Sequence, residues 1–589
     1  MTRAGCGCAR QLATCVWQKV VTMAGMRSAR AASGLPNSRR WARLWAVLAA
    51  VVVLAAAGCG GGSSVPRRPP VPQALFGTTW EPCTPSGHPG ECRTVWVPQD
   101  WAHPHGPQIP LLVAKLPATS AAHPAAPLFD LAGYGSTAIG DADWTMQAFG
   151  QLNQTMDLVF VAQRGTQYSW PQTCPGLETT NPAALHPAVR HCLAWVNRSP
   201  RHDTTAAAAR DLEQVRKALG YNKINLYGAS YGVSMGLAYL QRYGGHVRTA
   251  VFYSGSLLNV PLWQLTPVHA QQAFDQLAHR CAAAPACARL YRPAADLATV
   301  AHQLRAHPAR ATIWGPNGQP QTVTISLTGF LNAIIDEYLS SPDTAVLLPQ
   351  DLHAFAHGQW ATVINKRGFA SGLSSAPTQL QEVTLRCSDA WAAMNPAAIA
   401  RQARLSVFTP ALAATAAWQQ QLCAIWPHDP GVSGIVRSNV PVVFVNGTAD
   451  PADPPANVAA APASMPNALL VSIPGGSHDV AATGCIPALS TAFILAGKPA
   501  SRARWAACAR TMGHYYPAFP AAPQPQDRSA RVATAPPPLW SGSLLRLPLF
   551  CAGGGCCPMS AAPRVLTVSA YDEARRFNQA GRLSLADDR

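Results

Sequence analysis

A chain of 589 residues is long enough for one large domain with insertions or for two to three ordinary ones, so a sizeable buried core is available. Its formal charge of +17 would suit a nucleic-acid or membrane binder only if it formed a patch. Residues 1–58 hold eight Lys or Arg and no acid, and residues 526–589 hold eight bases against five acids. The body between them keeps only about +6, which excludes a basic nucleic-acid surface.

The first 58 residues read as an export signal. The basic segment SRRWAR (Ser38 to Arg43) leads into the apolar run Leu44 to Ala57, about 14 residues and so short of the roughly 20 that span a bilayer. The run ends in LAAAGC, and the small residues before Cys59 look like a bacterial lipoprotein cleavage site. Cys59 would then carry the lipid, with residues 59–75 as a flexible tether. Simple secretion with cleavage nearby is the alternative.

After the tether, CRTVWVPQDW and QIPLLVAKLPA read as paired early strands, and PLFDLAGYG and MDLVFVAQRG as short buried strands ending in glycine turns. Thr204 to Gly220 predicts a helix, with a threonine start, late bases and a terminal glycine. Ile224 to Gly244 predicts a strand running directly into a helix. From about Asn259 to Pro430 the pattern turns helical, and then VPVVFVNGTAD and NALLVSIPGGSHD restore strands. Buried strands alternating with helices imply an α/β fold with a mostly parallel sheet covered on both faces. The core would be residues 76–258 and 431–515, interrupted by a helical cap at 259–430. A proline-rich, poorly ordered extension would occupy 516–589.

Ten of the 17 cysteines lie in the body. Close pairings suggest themselves for Cys83 with Cys92, Cys174 with Cys192, Cys281 with Cys287, Cys387 with Cys423, and Cys485 with Cys508, although connectivity is not strictly readable from sequence. A metal site is the competing use of cysteine. The body has no CxxC pair and no HExxH helix, so neither a metal nor another cofactor is expected.

The stretch INLYGASYG places Ser230 between Gly228 and Gly232 at the strand-to-helix turn. A sharp turn there strains the middle residue and leaves no room for side chains two positions away, so glycine on both sides fits a nucleophile elbow. A serine hydroxyl needs an imidazole to take its proton, and the imidazole needs a carboxylate to fix its tautomer. Downstream, Asp450 follows one predicted strand and His478 follows the next, in the Ser, Asp, His order of α/β-hydrolases. Asp453 is the rival acid, with Asp479 behind it. Asp450 as a mere turn former and His478 as an ordinary loop histidine are the bland alternatives.

Taken together, DLEQVRKALGYNKINLYGASYG, VFVAQRGTQYS, CAIWP, VNGTADPADPP and GGSHDVAATGC resemble the tripeptidyl aminopeptidase-like branch of the α/β-hydrolases, secreted serine exopeptidases related to prolyl aminopeptidases. The resemblance covers roughly Thr78 to Cys508. It implies an α/β-hydrolase fold with a helical cap over a triad of Ser230, Asp450 and His478, acting on short amino-terminal peptides, esters or amides. Cys387, Cys423, Cys485 and Cys508 match positions usual in that family.

Two departures stand out. The family's Gly-Gly-Pro-Gly oxyanion loop stands here as LAGYGST, which keeps Gly133 and Gly135 but puts Tyr134 in the proline's place. The expected oxyanion donors are the amide of Tyr231 and one from Tyr134 or Gly135. In AQRG, Ala162 replaces a family aspartate expected to brace Arg164.

The leading expectation is a monomeric peptidase, exported and either secreted or held to the membrane only by a lipid anchor. It takes a peptide or ester substrate and no nucleic acid. An esterase on the same triad, or a binding lipoprotein that has lost activity, are the alternatives. Asp336, Glu337, Glu382 and Asp389 in the cap are candidates to receive a substrate amine, with solvated helical faces as the plainer reading.

Overall fold

The computed structural model describes residues 74–520 apart from 121–124, 175–176, 178–181, 316–317, 368–378, 391–393, 403 and 515–516. The expected export signal, Cys59, most of the expected tether and nearly all of the expected 516–589 extension lie outside the described residues. The strands are β1 (Glu81–Cys83), β2 (Gly90–Pro98), β3 (Gln108–Leu116), β4 (Ala125–Leu131), β5 (Met156–Val161), β6 (Ile224–Ala229), β7 (Val247–Tyr253), β8 (Ala309–Trp314), β9 (Pro320–Ile325), β10 (Val442–Gly447) and β11 (Ala468–Ile473). Nine of them form one sheet in the order β1-β2-β3-β5-β4-β6-β7-β10-β11. Pairing is antiparallel from β1 through the β3–β5 contact and parallel from there to β11.

This is the α/β-hydrolase fold. Its central strands have apolar residues on both faces, because each face is covered by helices. Val442 and Phe444 point into one core layer, shared with the helices Thr205–Ala218 and Tyr231–Tyr243. Val443 and Val445 point into the other, shared with Ala142–Phe149, Ile486–Ala496 and Arg502–Thr511. The period of two along the strand sorts the residues between layers. The helix Thr205–Ala218 starts where expected: the Thr204 hydroxyl accepts the Ala207 amide at 3.3 Å, and Gly220 closes the end with φ +75°.

Arg164 is fully buried. Its guanidinium is held by both oxygens of Asp211, at 2.6 and 2.7 Å, and by the carbonyls of Pro98, Gln99 and His202. Trp101 Nε1 donates to the same carboxylate at 2.9 Å. The brace expected at the position of Ala162 therefore comes from Asp211 on a neighbouring helix, and Arg164 keeps its partner despite the departure.

The segment between β7 and β10 departs from the expectation of a purely helical cap. It contains the β8–β9 hairpin, packed in one apolar cluster with helices Leu262–Ala283, Pro293–Ala306, Leu348–Ala356 and Trp360–Arg367. The β-branched alternation of RATIW and QTVTI around GPNGQ carried that signal. A second cluster joins Leu380, Val383, Leu422 and Trp426 to Leu185, Val189 and Val196 from before Ser230. The helix Pro182–Trp195, read as core from chain order, thus packs with the later insertion. Its apolar face has no sheet to cover.

All five cysteine pairings are present as disulfides. They point to folding in an oxidising, extracytoplasmic compartment. Among the described residues no helix is long and apolar enough to cross a membrane.

Asp211→Asn leaves the buried Arg164 charge uncompensated and should cost about 3–5 kcal/mol of stability. Urea unfolding followed by tryptophan fluorescence measures it. A loss below about 1 kcal/mol would mean that the carbonyl cage alone holds the guanidinium.

Candidate active site

Strand β6 ends at Ala229 and the next helix begins at Tyr231, so Ser230 is the whole turn between them. It sits at φ 55°, ψ −123°, in the positive-φ region where a non-glycine residue is strained. Its amide donates to the Tyr253 carbonyl of β7 at 3.0 Å, and its carbonyl accepts the Val233 amide at 3.0 Å. A Cβ on Gly228 would stand 2.7 Å from the Gly232 carbonyl oxygen, and one on Gly232 would stand 1.9 Å from that of Leu131. Only hydrogen fits at either position, so both glycines are required by the backbone packing around Ser230.

Two parallel neighbours supply the other groups. Asp450 lies in the loop after β10 and His478 in the loop after β11, and these loops approach so closely that a Cβ on Gly447 would meet the Gly476 carbonyl at 2.1 Å. The Asp450 carboxylate meets His478 Nδ1 at 2.9 and 3.1 Å, and its Oδ1 also accepts the amides of Ala452 and Asp453 at 2.9 Å. Held this way, Nδ1 is the proton-bearing nitrogen and Nε2 is the basic one in neutral imidazole. The rival Asp453 stands 3.9 Å from His478 Nδ1, with one oxygen bonded to the Ser256 hydroxyl. Strand β7 links the serine to the histidine: Tyr253 accepts the Ser230 amide, and the next residue, Ser254, donates its hydroxyl to the His478 carbonyl at 2.6 Å.

Charge in this corner is strongly coupled. Burial opposes protonation of His478, but the Asp450 carboxylate outweighs it, with Asp453 and Asp479 adding, and the imidazole is pushed up to about 10. Burial would raise Asp450 as well, yet the facing imidazolium holds its carboxyl below the usual range. Burial and then repulsion from Asp450 push Asp453 up to about 7.

The LAGYGST loop leaves the end of β4 beside the serine. A Cβ on Gly133 would lie 3.8 Å from that of Ser230, and Gly135 has φ +69°, a conformation that glycine adopts without strain. Between them, the Tyr134 ring lies against the Tyr231 ring, tilted by 31° with centroids 4.6 Å apart, and meets Trp263 of the cap at 6.1 Å. Tyr134, Gly135 and Tyr231 thus belong to one packed unit around the serine.

The cap's acids are not simply a solvated face. Asp336 and Glu337 ride on the π-helical segment Ile334–Leu339, Glu382 on Leu380–Leu385, and Asp389 on the π-helical segment Arg386–Ala390. The Asp336 residue is open to solvent, yet enough protein surrounds its carboxyl that desolvation raises it to about 6; Arg386 draws it down, Glu382 adds to the rise, and His478 draws it down. Glu382 forms an ion pair with Arg386, whose guanidinium lies 4.6 Å from the Trp263 ring, and Glu382 Oε2 would be 4.0 Å from a Cβ on Gly135. Trp263 and Arg386 carry no motif, and nothing local in the sequence marks them. Among the described residues no group of three His, Cys, Asp or Glu is arranged to hold a metal ion.

The α/β hydrolase fold model matches residues 128–305, and the model for TAP-like proteins matches residues 409–504. Over these two segments the chain is similar to α/β-hydrolases and to TAP-like proteins. It is 30% identical over 209 residues to tripeptidyl aminopeptidase from Streptomyces lividans, covering 30% of the chain and 38% of that protein. It is 27% identical over 238 residues to serine protease Hip1 from Mycobacterium tuberculosis, covering 35% and 45%. With carboxylesterase B from Mycobacterium tuberculosis it shares 26% identity over 457 residues, covering 68% of the chain and 85% of that protein. The match thus spans less than half the length of the two peptidase relatives.

Asp450→Asn should lower the His478 value by about 1 to 3, since it removes the opposing charge in contact with the ring. Titrating the imidazole resonances by NMR gives both values. A wild-type His478 that titrates near 6.5 would show that Asp450 exerts no such hold.

Proposed function

We propose that this chain is an exported serine hydrolase that cleaves peptide bonds through Ser230, His478 and Asp450, releasing residues or short peptides from free amino termini. The observation that carries the reading is what gathers at the carboxyl ends of β6, β10 and β11: a strained serine between obligatory glycines and an imidazole bound by a buried carboxylate, with Asp336 of the insertion feeling the charge of that imidazole.

The chemistry follows from the roles. His478 Nε2 takes the Ser230 hydroxyl proton as Oγ attacks the scissile carbonyl, and Asp450 stabilises the imidazolium that forms. The amide of Tyr231 and one from Tyr134 or Gly135 receive the oxyanion; losing one such donor typically costs about 2.7–4 kcal/mol. The imidazolium then gives its proton to the departing amine, leaving an acyl-serine. Water, deprotonated by the same nitrogen, hydrolyses that ester and restores the free serine. Because His478 must be neutral to begin, kcat/KM should climb as pH rises above neutrality.

The acids decide between peptidase and esterase. An amino-terminal ammonium within reach of Asp336 and Glu382 gains charge-assisted hydrogen bonds that a neutral ester cannot make. Carboxylesterase activity on the same triad is the second reading, favoured by the relative of that name, which matches over most of its length. Export, with lipid on Cys59 as the anchor, belongs to the same proposal and rests on the signal-like amino terminus.

A fluorophosphonate probe should label wild type and not Ser230→Ala. Ser230→Ala and His478→Ala should each lower kcat by about 10⁶, and the double variant should be no slower than either. Asp450→Asn should cost about 10⁴. If Asp453→Asn shows that loss instead, the acid is misassigned.

On a panel of free and blocked peptide amides and short acyl esters, Asp336→Asn should raise KM about 10-fold for free amino termini and leave blocked substrates unchanged. Equal rises on both would remove the amine from the argument and favour the esterase.

A further inference from the structure

Beneath the reacting groups runs a chain of buried hydrogen bonds that the mechanism above does not use. Tyr231, the residue after the serine, is itself buried, at 3% exposure. Gln163 Nε2, at the end of β5, lies 2.8 Å from its hydroxyl, and that hydroxyl lies 3.0 Å from Thr205 Oγ1. Thr205 Oγ1 in turn bonds Asp389 of the cap. The other Asp389 oxygen accepts the amide of Val432 at 2.9 Å, where the chain returns from cap to core. There the backbone lies so close that a Cβ on Gly431 would be 2.0 Å from the carboxylate.

The ends of the chain fix its direction. An amide nitrogen only donates and a carboxylate only accepts. Thr205 therefore gives its proton to Asp389 and has only lone pairs left for Tyr231, so Tyr231 donates to Thr205 and accepts from Gln163. Burial pushes Asp389 up to about 6, against the pull of Thr205 and Val432, so at neutral pH it is mostly ionised and acts as the terminal acceptor. Every hydroxyl in the series has one orientation, and the Tyr231 ring is pinned at its outer end.

That ring carries both sides of the expected oxyanion site. Its own backbone supplies one expected donor, and Tyr134 of the LAGYGST loop, which brings the other, packs against it as a tilted ring pair with centroids 4.6 Å apart. A tyrosine in the loop's proline position thus replaces a stiff backbone with a ring-to-ring contact on a ring that is itself anchored.

We propose that Asp389 is a positioning residue for the oxyanion site, fixing the Tyr231 and Tyr134 amides through Thr205 and the Tyr231 hydroxyl. The inference rests on the serine hydrolase reading. It makes the cap a participant in transition-state stabilisation without any contact to the reacting atoms.

The test compares Asp389→Asn, Thr205→Val, Thr205→Ser and Tyr231→Phe, and the double variant Asp389→Asn/Tyr231→Phe. The readouts are kcat and KM on a peptide amide and the affinity of a peptide aldehyde, which forms the tetrahedral adduct. Asp389→Asn, Thr205→Val and Tyr231→Phe should each lower kcat about 10-fold at nearly constant KM and weaken the aldehyde in proportion. Thr205→Ser, which keeps the hydroxyl, should behave like wild type, and the double variant should be no worse than its parents.

Aldehyde affinity unchanged in folded Asp389→Asn protein, or losses that add in the double variant, would overturn the proposal. If Asp389→Asn fails to fold, Thr205→Val against Thr205→Ser decides the matter alone. A wild type that neither labels with fluorophosphonate nor turns over substrate overturns the serine hydrolase reading first and this proposal with it, and so separates the two failures.

Discussion

Among the described glycines the tightest is Gly232, where an added methyl group would stand 1.9 Å from the Leu131 carbonyl oxygen. It lets the helix Tyr231–Tyr243 begin hard against the end of β4. The chain can reach that helix from β6 only through one strained residue, Ser230 at φ 55°. The same contact brings the LAGYGST loop alongside the serine, because that loop starts where β4 ends. Gly228 and Gly232 are therefore backbone requirements first, and the strained placement of Ser230 is a consequence of meeting them.

Polar groups are buried around this turn in quantity, and their partners make them tolerable. Arg164 is closed off by Asp211 and three carbonyls, Asp450 by His478 and two amides, and Asp389 by Thr205 and Val432. A buried charge lacking such partners costs several kcal/mol, so each pairing restricts where its loop can sit. The loops that carry the candidate chemistry are thereby rigid without belonging to the sheet. Rigid placement is what preorganised donors and bases need, since a group already in position reorganises little as the reaction proceeds.

The cap is built from two separated pieces of chain, which changes what it can do. The helix Pro182–Trp195 precedes the serine and the helices Leu380–Leu385 and Thr409–Ile425 follow it, yet all three share one apolar cluster. Both pieces are clamped by disulfides, Cys174 with Cys192 and Cys387 with Cys423. Two π-helical segments in the later piece turn Asp336, Arg386 and Asp389 out of an ordinary helical register. Such bulges recur at functional sites because they re-aim side chains at a cost in regular hydrogen bonding.

Much of this was legible in the amino-acid string because it depends on local rules. Two glycines around a serine at a strand-to-helix junction, a threonine cap, period-two strands and cysteine pairs no more than 36 residues apart are all written in short stretches. Asp450 and His478 were legible for the same reason, since each ends a recognisable strand. The hairpin β8–β9 was written just as locally, in β-branched alternation around GPNGQ. What the string could not carry was which distant groups meet. Asp211 as the partner of Arg164, Asp389 as the terminus of a chain that begins at Gln163, and Trp263 beneath Arg386 depend on segments 47 to 226 residues apart. No periodicity or spacing encodes such pairings. They are fixed only when the sheet orders its strands and the cap folds over them, because a hydrogen bond is decided by a few tenths of an ångström in space and not by distance along the chain.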